Sequence, residues 1–327
     1  MQAIVQRAYG SADVLHVEEI MRPAIGDGEV LVEVHAAGLD RGTWHLMAGQ
    51  AYLIRLMGYG LRRPKNPVPG LDVAGTVAAV GANVSRFEVG DEVFGISQGS
   101  FAQYARARED KLAHKPASLT FGQAAVVAVS GLTALQSLRD VGRVEPGQHV
   151  LIVGASGGVG TFAVQIAKAS GAEVTGVCST AKLDLVRSIG ADHVIDYTTD
   201  DFADGSERYD LILDIGGNAP LSRLRRALTP GGTLVLVGGE NGDRFTGGMV
   251  RQLHAVALSP FVRQRLKMKV PDEHYAGLEI LAELIDSGQL TPTIDRTCPL
   301  HEAPDAMRQL EAGAVRGKIA IAVRDHH

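Results

Sequence analysis

The chain has 327 residues, of which 45% are apolar and 21% charged, as is typical of a soluble globular protein. Its 32 basic and 37 acidic residues give a formal charge of −5, and no run of Lys or Arg indicates a nucleic-acid surface. This composition excludes a disordered chain and argues against nucleic acid as a partner. The length allows two domains.

The cysteines and the N-terminus predict the compartment. Cys178 and Cys298 lie far apart, each in a strand-like segment, which argues against a disulfide framework and indicates a reducing environment. Residues 1–7 lack the charged head and apolar core of a signal peptide, and no apolar run of about 18 residues is present to span a bilayer. We therefore expect a cytoplasmic protein that does not act on membranes.

The pattern of the first 117 residues predicts short strands separated by glycine and proline. Alternating or apolar runs occur at 29–35, 73–80 and 92–94. This spacing is typical of an irregular β-barrel with long loops. Residues 51–65 form a long insertion rich in apolar residues, which is either a lid over a hydrophobic substrate or a packed surface hairpin.

A helical stretch over 122–138 precedes the most informative segment, Val150-Leu-Ile-Val-Gly154-Ala-Ser156-Gly157-Gly158-Val159-Gly160, which continues as a helical pattern to Lys168. A buried strand, a glycine turn and a helix N-terminus form an anion site, because free backbone N–H groups and the helix dipole point at a pyrophosphate. The spacing departs from the usual G-x-G-x-x-G, and a purely structural turn is the alternative. The context favours a dinucleotide site at residues 156–159.

Short β-branched runs separated by helical segments supply that context. Strands are predicted at 173–178, 193–196, 211–214, 233–237 and 266–270, with helices at 181–189 and 272–287. Segment 241–265 has no clear period, and 293–323 returns to strand and helix. The alternation is the pattern of a doubly wound parallel sheet, so the fold class is α/β. We divide the chain into a barrel domain of residues 1–124 and 271–327 and a nucleotide-binding domain of residues 125–270.

The end of the second strand of this sheet predicts which nicotinamide cofactor binds. An NAD site places a carboxylate there, about 20 residues after the glycine turn, to accept hydrogen bonds from the ribose 2′-OH. This chain has Ser179, Thr180 and Lys182 instead. Hydroxyls and an ammonium hold a 2′-phosphate that a carboxylate would repel, although Lys182 by itself also fits a solvated lysine. The absence of an acid at this position favours NADP(H).

Together these motifs resemble the zinc-independent medium-chain dehydrogenases/reductases, in the quinone-oxidoreductase-like branch, over essentially the whole chain. Beside the glycine turn, the resemblance rests on four segments, Pro69-Gly70-Leu-Asp72-Val-Ala-Gly75, Gly90-Asp-Glu-Val-Phe94-Gly, Gly131-Leu-Thr133-Ala-Leu and Gly317-Lys318-Ile-Ala-Ile. It implies a GroES-like β-barrel domain, a Rossmann domain, a cofactor in the cleft between them and, often, a homodimer built on the last Rossmann strand. An unpaired sixth strand would favour such a dimer independently.

The resemblance also implies individual cofactor contacts. Gly131–Thr133 and Val237-Gly238-Gly239 would line the nicotinamide, with Thr133, Gly238 and Gly239 as the named contacts. Tyr197, after the third strand, would reach the 2′-phosphate. Lys318 in the tail motif is placed with the cofactor-binding residues.

A metal is not expected. Zinc-dependent relatives have a cysteine after the first barrel strands and a His-Glu pair just after the glycine that here is Gly70, whereas this chain has Asp40 and Leu71-Asp72 at those positions. Catalytic zinc needs three converging ligands and structural zinc needs four. The 11 histidines are scattered without ligand spacing.

NADPH without a metal or flavin supports hydride delivery to a quinone or to a double bond conjugated to a carbonyl, while the protein aligns the acceptor and stabilises the developing enolate. Polar candidates on the substrate side are Asp40, Thr43, His45 and Tyr52. Quinone-reducing relatives often have Asn, Asp and Tyr where this chain has Asp40, Thr43 and His45, a departure that weakens the case for quinone itself. Trp44 is either a barrel core residue or a pocket wall.

Two other functions are compatible with the sequence. Alcohol dehydrogenation would need a Lewis acid or a Tyr-x-x-x-Lys pair, and neither is recognisable. A non-catalytic NADPH-binding protein would share the same fold, because fold does not determine function. The expected partner is a small hydrophobic carbonyl compound or a quinone.

Overall fold

The computed structural model describes residues 1–50, 52, 55–239, 246, 249–270 and 272–324, with only the backbone of residue 57. The chain divides into two compact units. The first consists of Met1–Leu132, Glu273–Gly288 and Pro292–His327, and the second of Thr133–Asp272 and Gln289–Thr291. Residues 125–132, which the sequence-based division gives to the nucleotide-binding domain, group with the first unit.

Mostly antiparallel strands build the first unit. They are β1 (Gln2–Val5), β2 (His16–Glu19), β3 (Glu29–Leu39), β4 (Asp72–Val80), β5 (Glu92–Ile96), β6 (Tyr104–Arg108), β7 (Leu112–His114), β14 (Ile294–Pro299) and β15 (Lys318–Ala322). In the main sheet the order is β14-β15-β3-β4-β5-β7, and β6 also pairs with β3, while β1 and β2 form a separate ribbon. The predicted barrel strands are therefore present and somewhat longer than expected.

Strand β3 shows why these residues form a half-buried sheet. Val30, Val32 and Val34 are fully buried, whereas Glu29 and Glu33 alternate with them on the more exposed face. This two-residue period places one face against the core. The strand continues to Leu39, so the chain leaves the sheet immediately before Asp40, the first candidate site residue.

The α-helices of the described residues are α1 (Arg41–Ala48), α2 (Phe121–Ala124), α3 (Ala128–Gln136), α4 (Gly158–Ala169), α5 (Leu183–Ser188), α6 (Leu221–Ala227), α7 (Met249–Leu258), α8 (Tyr275–Asp286) and α9 (Ala303–Glu311). Short helical turns occur at Ala12–Val14, Arg55–Tyr59, Glu109–Lys111, Ser137–Gly142, Thr180–Lys182, Ser259–Phe261 and Leu300–Glu302. In this part of the chain no helix is both long enough and apolar enough to cross a membrane.

A parallel sheet forms the second unit. Its strands are β8 (His149–Val153), β9 (Glu173–Cys178), β10 (His193–Asp196), β11 (Tyr209–Asp214), β12 (Leu228–Leu236) and β13 (Arg265–Met268). They are arranged in the order β10-β9-β8-β11-β12-β13. This is the doubly wound order, with the reversal between β8 and β11, so the predicted α/β fold class is confirmed.

The central strand β8 explains the apolar run that opens the glycine motif. Val150, Leu151 and Ile152 are all fully buried, as expected for a parallel strand with both faces covered. β8 pairs with β9 on one side and β11 on the other. Its carboxyl end therefore lies at the place where the strand order reverses, which is where open α/β sheets bind their ligands.

Two segments left open by the sequence are partly described. Within 241–265 the structure has helix α7 and the turn Ser259–Phe261, while residues 241–245 and 247–248 lie outside the described part. In the insertion 51–65, the turn Arg55–Tyr59 replaces the strands that a hairpin would need, and residues 51, 53 and 54 lie outside the described part. The described residues of the insertion contain no strand, and the choice between a lid and a packed hairpin remains a prediction.

Candidate functional site

The predicted catalytic residues Asp40 and Thr43 lie at the N-terminus of α1 and bind each other. Asp40 is the N-cap of this helix, and its carboxylate accepts a hydrogen bond from the Thr43 backbone N–H at 2.8 Å. The other carboxylate oxygen accepts from the Thr43 hydroxyl at 2.9 Å. Both side chains are buried. This arrangement satisfies the first turn of the helix, and it directs the Thr43 proton at Asp40 rather than at a substrate.

His45 and Tyr52 are the more accessible members of the predicted set. The His45 ring packs edge-on against Trp44 with 4.8 Å between ring centroids. Tyr52 is 42% exposed and faces the Arg55 guanidinium at 4.6 Å. Trp44 packs against the buried core of the first unit, which supports the core alternative for this residue.

A cavity of about 620 Å³ lies within the first unit beside α1. Thr43 lines it together with Met47, Tyr59 and Leu71. Tyr9 also lines it, and its hydroxyl donates to the Gly60 carbonyl at 2.7 Å, which ties the insertion to the cavity wall. Aromatic and aliphatic side chains line the part of the cavity beside α1, and charged side chains, among them Lys65, Arg106 and Glu273, line other parts of it.

Lys318, predicted to contact the cofactor, makes a buried ion pair in the first unit. Its ammonium donates to the Asp72 carboxylate at 2.9 Å, and the other Asp72 oxygen accepts from the Val129 backbone N–H at 2.6 Å. Burial raises the pKa of Asp72 to about 6, although Lys318 opposes the shift. The pair therefore joins β15, β4 and the start of α3, and the cofactor contact of Lys318 remains a prediction.

The glycine turn of the second unit fits a pyrophosphate. Gly157 is the N-cap of α4, and no side chain caps this helix. A Cβ atom on Gly157 would meet only the Gly154 carbonyl, at 3.6 Å, among the described residues. The first-turn N–H groups, including those of Gly158 and Val159, are thus accessible to an anion beside the buried Ser156.

Gly154 and Gly160 have a different, structural reason to be glycine. Gly154 has a φ of 93°, which favours a residue without Cβ. A Cβ on Gly160 would lie 2.1 Å from the Gly154 carbonyl oxygen. The irregular spacing of the motif therefore combines one open position at Gly157 with two positions required by the turn itself.

At the adenosine edge the structure shows a carboxylate that the sequence argument missed. Asp196, the last residue of β10, lies in register with Cys178, the last residue of β9. Its carboxylate accepts from the Thr180 hydroxyl at 2.5 Å and from the Thr198 hydroxyl at 2.7 Å. These hydrogen bonds hold the pKa of Asp196 below its ordinary value. The position after β9 has no acid, as predicted, but the neighbouring strand β10 brings the Asp196 carboxylate to the same edge.

The other predicted residues at this edge surround the same strand ends. Ser179 directly follows β9, and Lys182 closes the short turn that Thr180 begins. Tyr197 is 58% exposed, and its backbone N–H donates to the Cys178 carbonyl at 3.1 Å. The structure thus brings together the predicted adenosine residues and adds Asp196 to them.

A second buried ion pair lies at the reversal of strand order. Asp214 ends β11 beside Val153 of β8. Its fully buried carboxylate accepts from the Arg251 guanidinium at 2.5 Å and from the Gly217 N–H at 3.2 Å. Burial raises the pKa of Asp214, against the influence of Arg251. A buried carboxylate at the end of an apolar strand needs such a partner. An aspartate directly after an apolar strand was therefore the signal available in the sequence for both Asp196 and Asp214.

The remaining nicotinamide candidates have packing roles of their own. A Cβ on Gly238 would lie 1.9 Å from the Ile215 carbonyl oxygen, so this position requires glycine for chain packing. Thr133 is half-buried in α3, and its carbonyl accepts from the Ser137 hydroxyl at 2.6 Å. Gly239 is followed by residue 240, which lies outside the described residues. Contacts of these residues with the nicotinamide remain predictions.

The donor set does not fit a zinc ion. Within the described residues, no group of three or more His, Cys, Asp or Glu side chains is arranged to hold a metal. Of the residues at the zinc positions of metal-dependent relatives, Asp40 is engaged with Thr43 and Asp72 with Lys318. No step of the chemistry is therefore assigned to a metal.

Two family models match the chain. Residues 26–117 match the alcohol dehydrogenase GroES-like domain, and residues 189–321 match a model described as zinc-binding dehydrogenase. The matched regions fall in the antiparallel first unit and, for the second model, in both units. The words zinc-binding dehydrogenase describe that family model, and the absence of zinc from this chain remains a prediction.

Relatives and solved structures match over nearly the full length. The mitochondrial NAD(P)H oxidoreductase RTN4IP1 of Mus musculus is 34% identical, covering 99% of this chain and 89% of that protein. The structure of the quinone oxidoreductase from Coxiella burnetii has a TM-score of 0.88 at 28% identity and covers 99% of both chains. The mycobacterial protein Rv1454c, complexed with NADPH, has a TM-score of 0.84 at 27% identity and covers 98% of this chain and 99% of its own.

These similarities agree with the folds of the two units and with the glycine turn at the N-terminus of α4. They show an oxidoreductase that binds a nicotinamide dinucleotide. The mouse relative is named as mitochondrial, so a cytoplasmic location remains a prediction. The chain belongs to the medium-chain dehydrogenase/reductase family, in its quinone-oxidoreductase-like branch.

Proposed function

We propose that this chain transfers a hydride from NADPH to a quinone or to a carbon–carbon double bond conjugated to a carbonyl. The observation that carries the proposal is the uncapped N-terminus of α4, with open space at Gly157 directly after the buried strand β8. Such a terminus offers N–H groups and a positive dipole end to a pyrophosphate. The names of the mouse and Coxiella relatives support the same reaction class.

NADPH, when bound, supplies the hydride, and this chain's residues position the acceptor. The apolar part of the cavity wall beside α1, with Met47, Tyr59 and Leu71, favours a hydrophobic substrate. Of the four predicted polar residues, Thr43 lines this cavity and its hydroxyl donates to Asp40, whereas His45 and Tyr52 are not among the residues that line it. The proton required after hydride transfer is proposed to come from water or from one replaceable side chain.

NADPH oxidation measured with a panel of enones, quinones and alkenals tests the proposal. Turnover with at least one class of acceptor is expected, and alcohols with NADP⁺ serve as the comparison for alcohol dehydrogenation. Gly157→Val, which blocks the turn, is the negative control. NADPH binding without turnover of any acceptor or alcohol would instead identify a non-catalytic binding protein.

A homodimer is part of the proposed assembly. Strand β13 lies at the edge of the parallel sheet, and an edge strand presents unpaired backbone groups to another chain. Exposed apolar residues occur nearby in sequence, with Leu253 at 53%, Phe261 at 84% and Val270 at 65%. A second copy covering this edge would bury them.

A further inference from the structure

The carboxylate of Asp196 conflicts with a strict preference for NADPH. A ribose 2′-phosphate carries close to two negative charges at neutral pH. Asp196 is only 8% exposed, and its hydrogen bonds with Thr180 and Thr198 favour the charged form. The end of β10 therefore places a fixed negative charge beside the turn that begins at Thr180, where the 2′-substituent is expected.

Two hydroxyl protons at this edge, those of Thr180 and Thr198, are already used. Each threonine hydroxyl has one proton to donate, and those of Thr180 and Thr198 point at opposite oxygens of the Asp196 carboxylate. The Thr198 backbone N–H donates to the same carboxylate at 3.0 Å. Thr180 is thus left with acceptor lone pairs, which suit a ribose hydroxyl that donates a proton and do not suit a phosphate.

Charges around the strand ends are close to balanced. The groups that act electrostatically on Cys178, the last residue of β9, are the acids Asp196 and Asp184 and the bases Lys182 and Arg187. A site selective for a phosphate dianion needs an excess of positive charge. Here Lys182 would attract the phosphate and Asp196 would repel it, so the two act in opposite directions.

We propose that Asp196 is the residue that limits cofactor selectivity, so that the chain binds both NADPH and NADH, with only a small advantage for NADPH. This inference rests on the proposed nicotinamide-dependent function. Asp196 acts in two ways, by its charge and by withdrawing the Thr180 proton from the ligand. Replacing it by asparagine removes the charge and frees a hydroxyl proton for the phosphate.

The dissociation constants of NADPH and NADH, measured by calorimetry for the wild type and for Asp196→Asn, test this. The variant should raise the ratio of the NADH constant to the NADPH constant by about 10-fold, mainly through tighter NADPH binding, because a like charge near a surface site costs about this much. An unchanged ratio, or an equal loss of affinity for both cofactors, would overturn the proposal.

Asp204→Asn is the matched control. Asp204 accepts from the backbone N–H and hydroxyl of Ser206, two residues on, just as Asp196 accepts from Thr198. It lies in the segment between β10 and β11, and it accepts these hydrogen bonds from Ser206 and not from Thr180. The control removes an aspartate charge and its hydrogen bonds to the residue two positions on, as Asp196→Asn does, but away from the predicted cofactor site. The ratio of its NADH and NADPH dissociation constants should therefore equal that of the wild type. A ratio shifted as strongly as in Asp196→Asn would show a general charge effect and overturn the assignment.

Thr180→Val provides a second test that keeps the charge of Asp196. It removes the proposed acceptor for the ribose hydroxyl, so NADH should bind more weakly while NADPH is little changed. Unchanged NADH affinity would contradict the proposed role of Thr180, even if Asp196→Asn fails to fold. A wild-type chain that binds neither cofactor would refute the proposed function itself, which separates that failure from failure of the Asp196 assignment.

Discussion

Lys318 and Asp72 form an ion pair in which both side chains are almost completely buried, with exposed fractions of 2% and 0% and 2.9 Å between Nζ and Oδ2. Burial raises the pKa of Asp72 to about 6 in the folded chain, above the value near 4 of an unfolded aspartate. The folded state therefore binds this proton more tightly. The contribution of Asp72 to stability consequently falls as the pH rises from about 4 to about 6.

We expect Lys318→Met to lower the free energy of unfolding by about 3–5 kcal/mol near pH 8, because it leaves a buried charge without a partner. Loss of the ammonium raises the pKa of Asp72 further, so the cost should be smaller at about pH 5, where the carboxyl takes up a proton. Urea denaturation of the variant and the wild type at both pH values measures the difference.

Lys111→Met is the control for this experiment. Lys111 pairs with Glu273 at 2.5 Å, but both side chains are about one-third exposed. An exposed pair contributes about 0–1 kcal/mol, so this variant should cost little at either pH. Equal costs for Lys318→Met and Lys111→Met would show that the buried pair has no special role in stability.

Gly157→Val should abolish detectable cofactor binding without unfolding the chain. Gly157 has a φ of −87°, which any residue adopts, and its Cβ direction is open. A branched side chain there would occupy the space in which a pyrophosphate approaches the helix. NADPH titration together with a thermal melt measures both properties.

Two further glycine variants serve as comparisons for Gly157→Val. Gly231→Val is the control, since a Cβ there meets nothing within 4 Å among the described residues and Gly231 lies in the first half of β12, away from its carboxyl end. It should bind NADPH normally. Gly160→Val should instead lower stability, because its Cβ overlaps the Gly154 carbonyl. Normal NADPH binding by Gly157→Val would mean that the cofactor lies elsewhere.

Lys182→Ala should weaken NADPH binding about 10-fold and barely change NADH binding. Loss of a charge-assisted hydrogen bond to phosphate costs about 1.5–3 kcal/mol. NADH has no 2′-phosphate, so it makes no such hydrogen bond that the substitution could remove. The two cofactors are titrated by the change in nicotinamide fluorescence. Equal losses for NADPH and NADH would indicate that Lys182 acts on the fold of the strand end and not on the phosphate.

The proposed dimer predicts that a charge placed on the covered surface weakens the association of the two copies. Leu253→Lys should shift the chain towards monomer in light scattering, because a lysine in an apolar interface loses its hydration without gaining a partner. Val89→Lys is the control, since Val89 is 64% exposed in the first unit, away from strand β13 in sequence. A wild-type monomer at micromolar concentration would contradict the assembly.

Sequence patterns predicted the regular strands well, because buried positions recur at regular intervals along a strand and are filled by apolar residues. The fully buried run at Val150–Ile152 and the alternation along β3 both follow from which faces contact the core. Strands β9 and β10 have the bounds predicted for them. Segment 241–265 had no repeat to follow, and helix α7 within it was not predicted.

Side-chain partners could not be predicted in the same way, because they depend on which strand ends are neighbours. The acid at the adenosine edge was sought after β9, yet it comes from β10, whose end lies beside Cys178. Lys318 and Asp72 are separated by 246 positions in sequence and meet across the sheet of the first unit. Chain distance gives no sign of either juxtaposition.

The last prediction concerns the source of the proton. Asp40 and Thr43 are engaged with each other at the start of α1, so Asp40→Ala should cost about 1–2 kcal/mol of stability through the lost helix cap. General acid catalysis usually contributes about 10²–10⁴-fold. Replacing Asp40, Thr43, His45 or Tyr52 singly should therefore lower kcat by less than roughly 100-fold if water is able to supply the proton. Steady-state kinetics and NADPH affinity are measured for each variant. A single replacement that removes all turnover and leaves NADPH affinity unchanged would show that a dedicated acid exists.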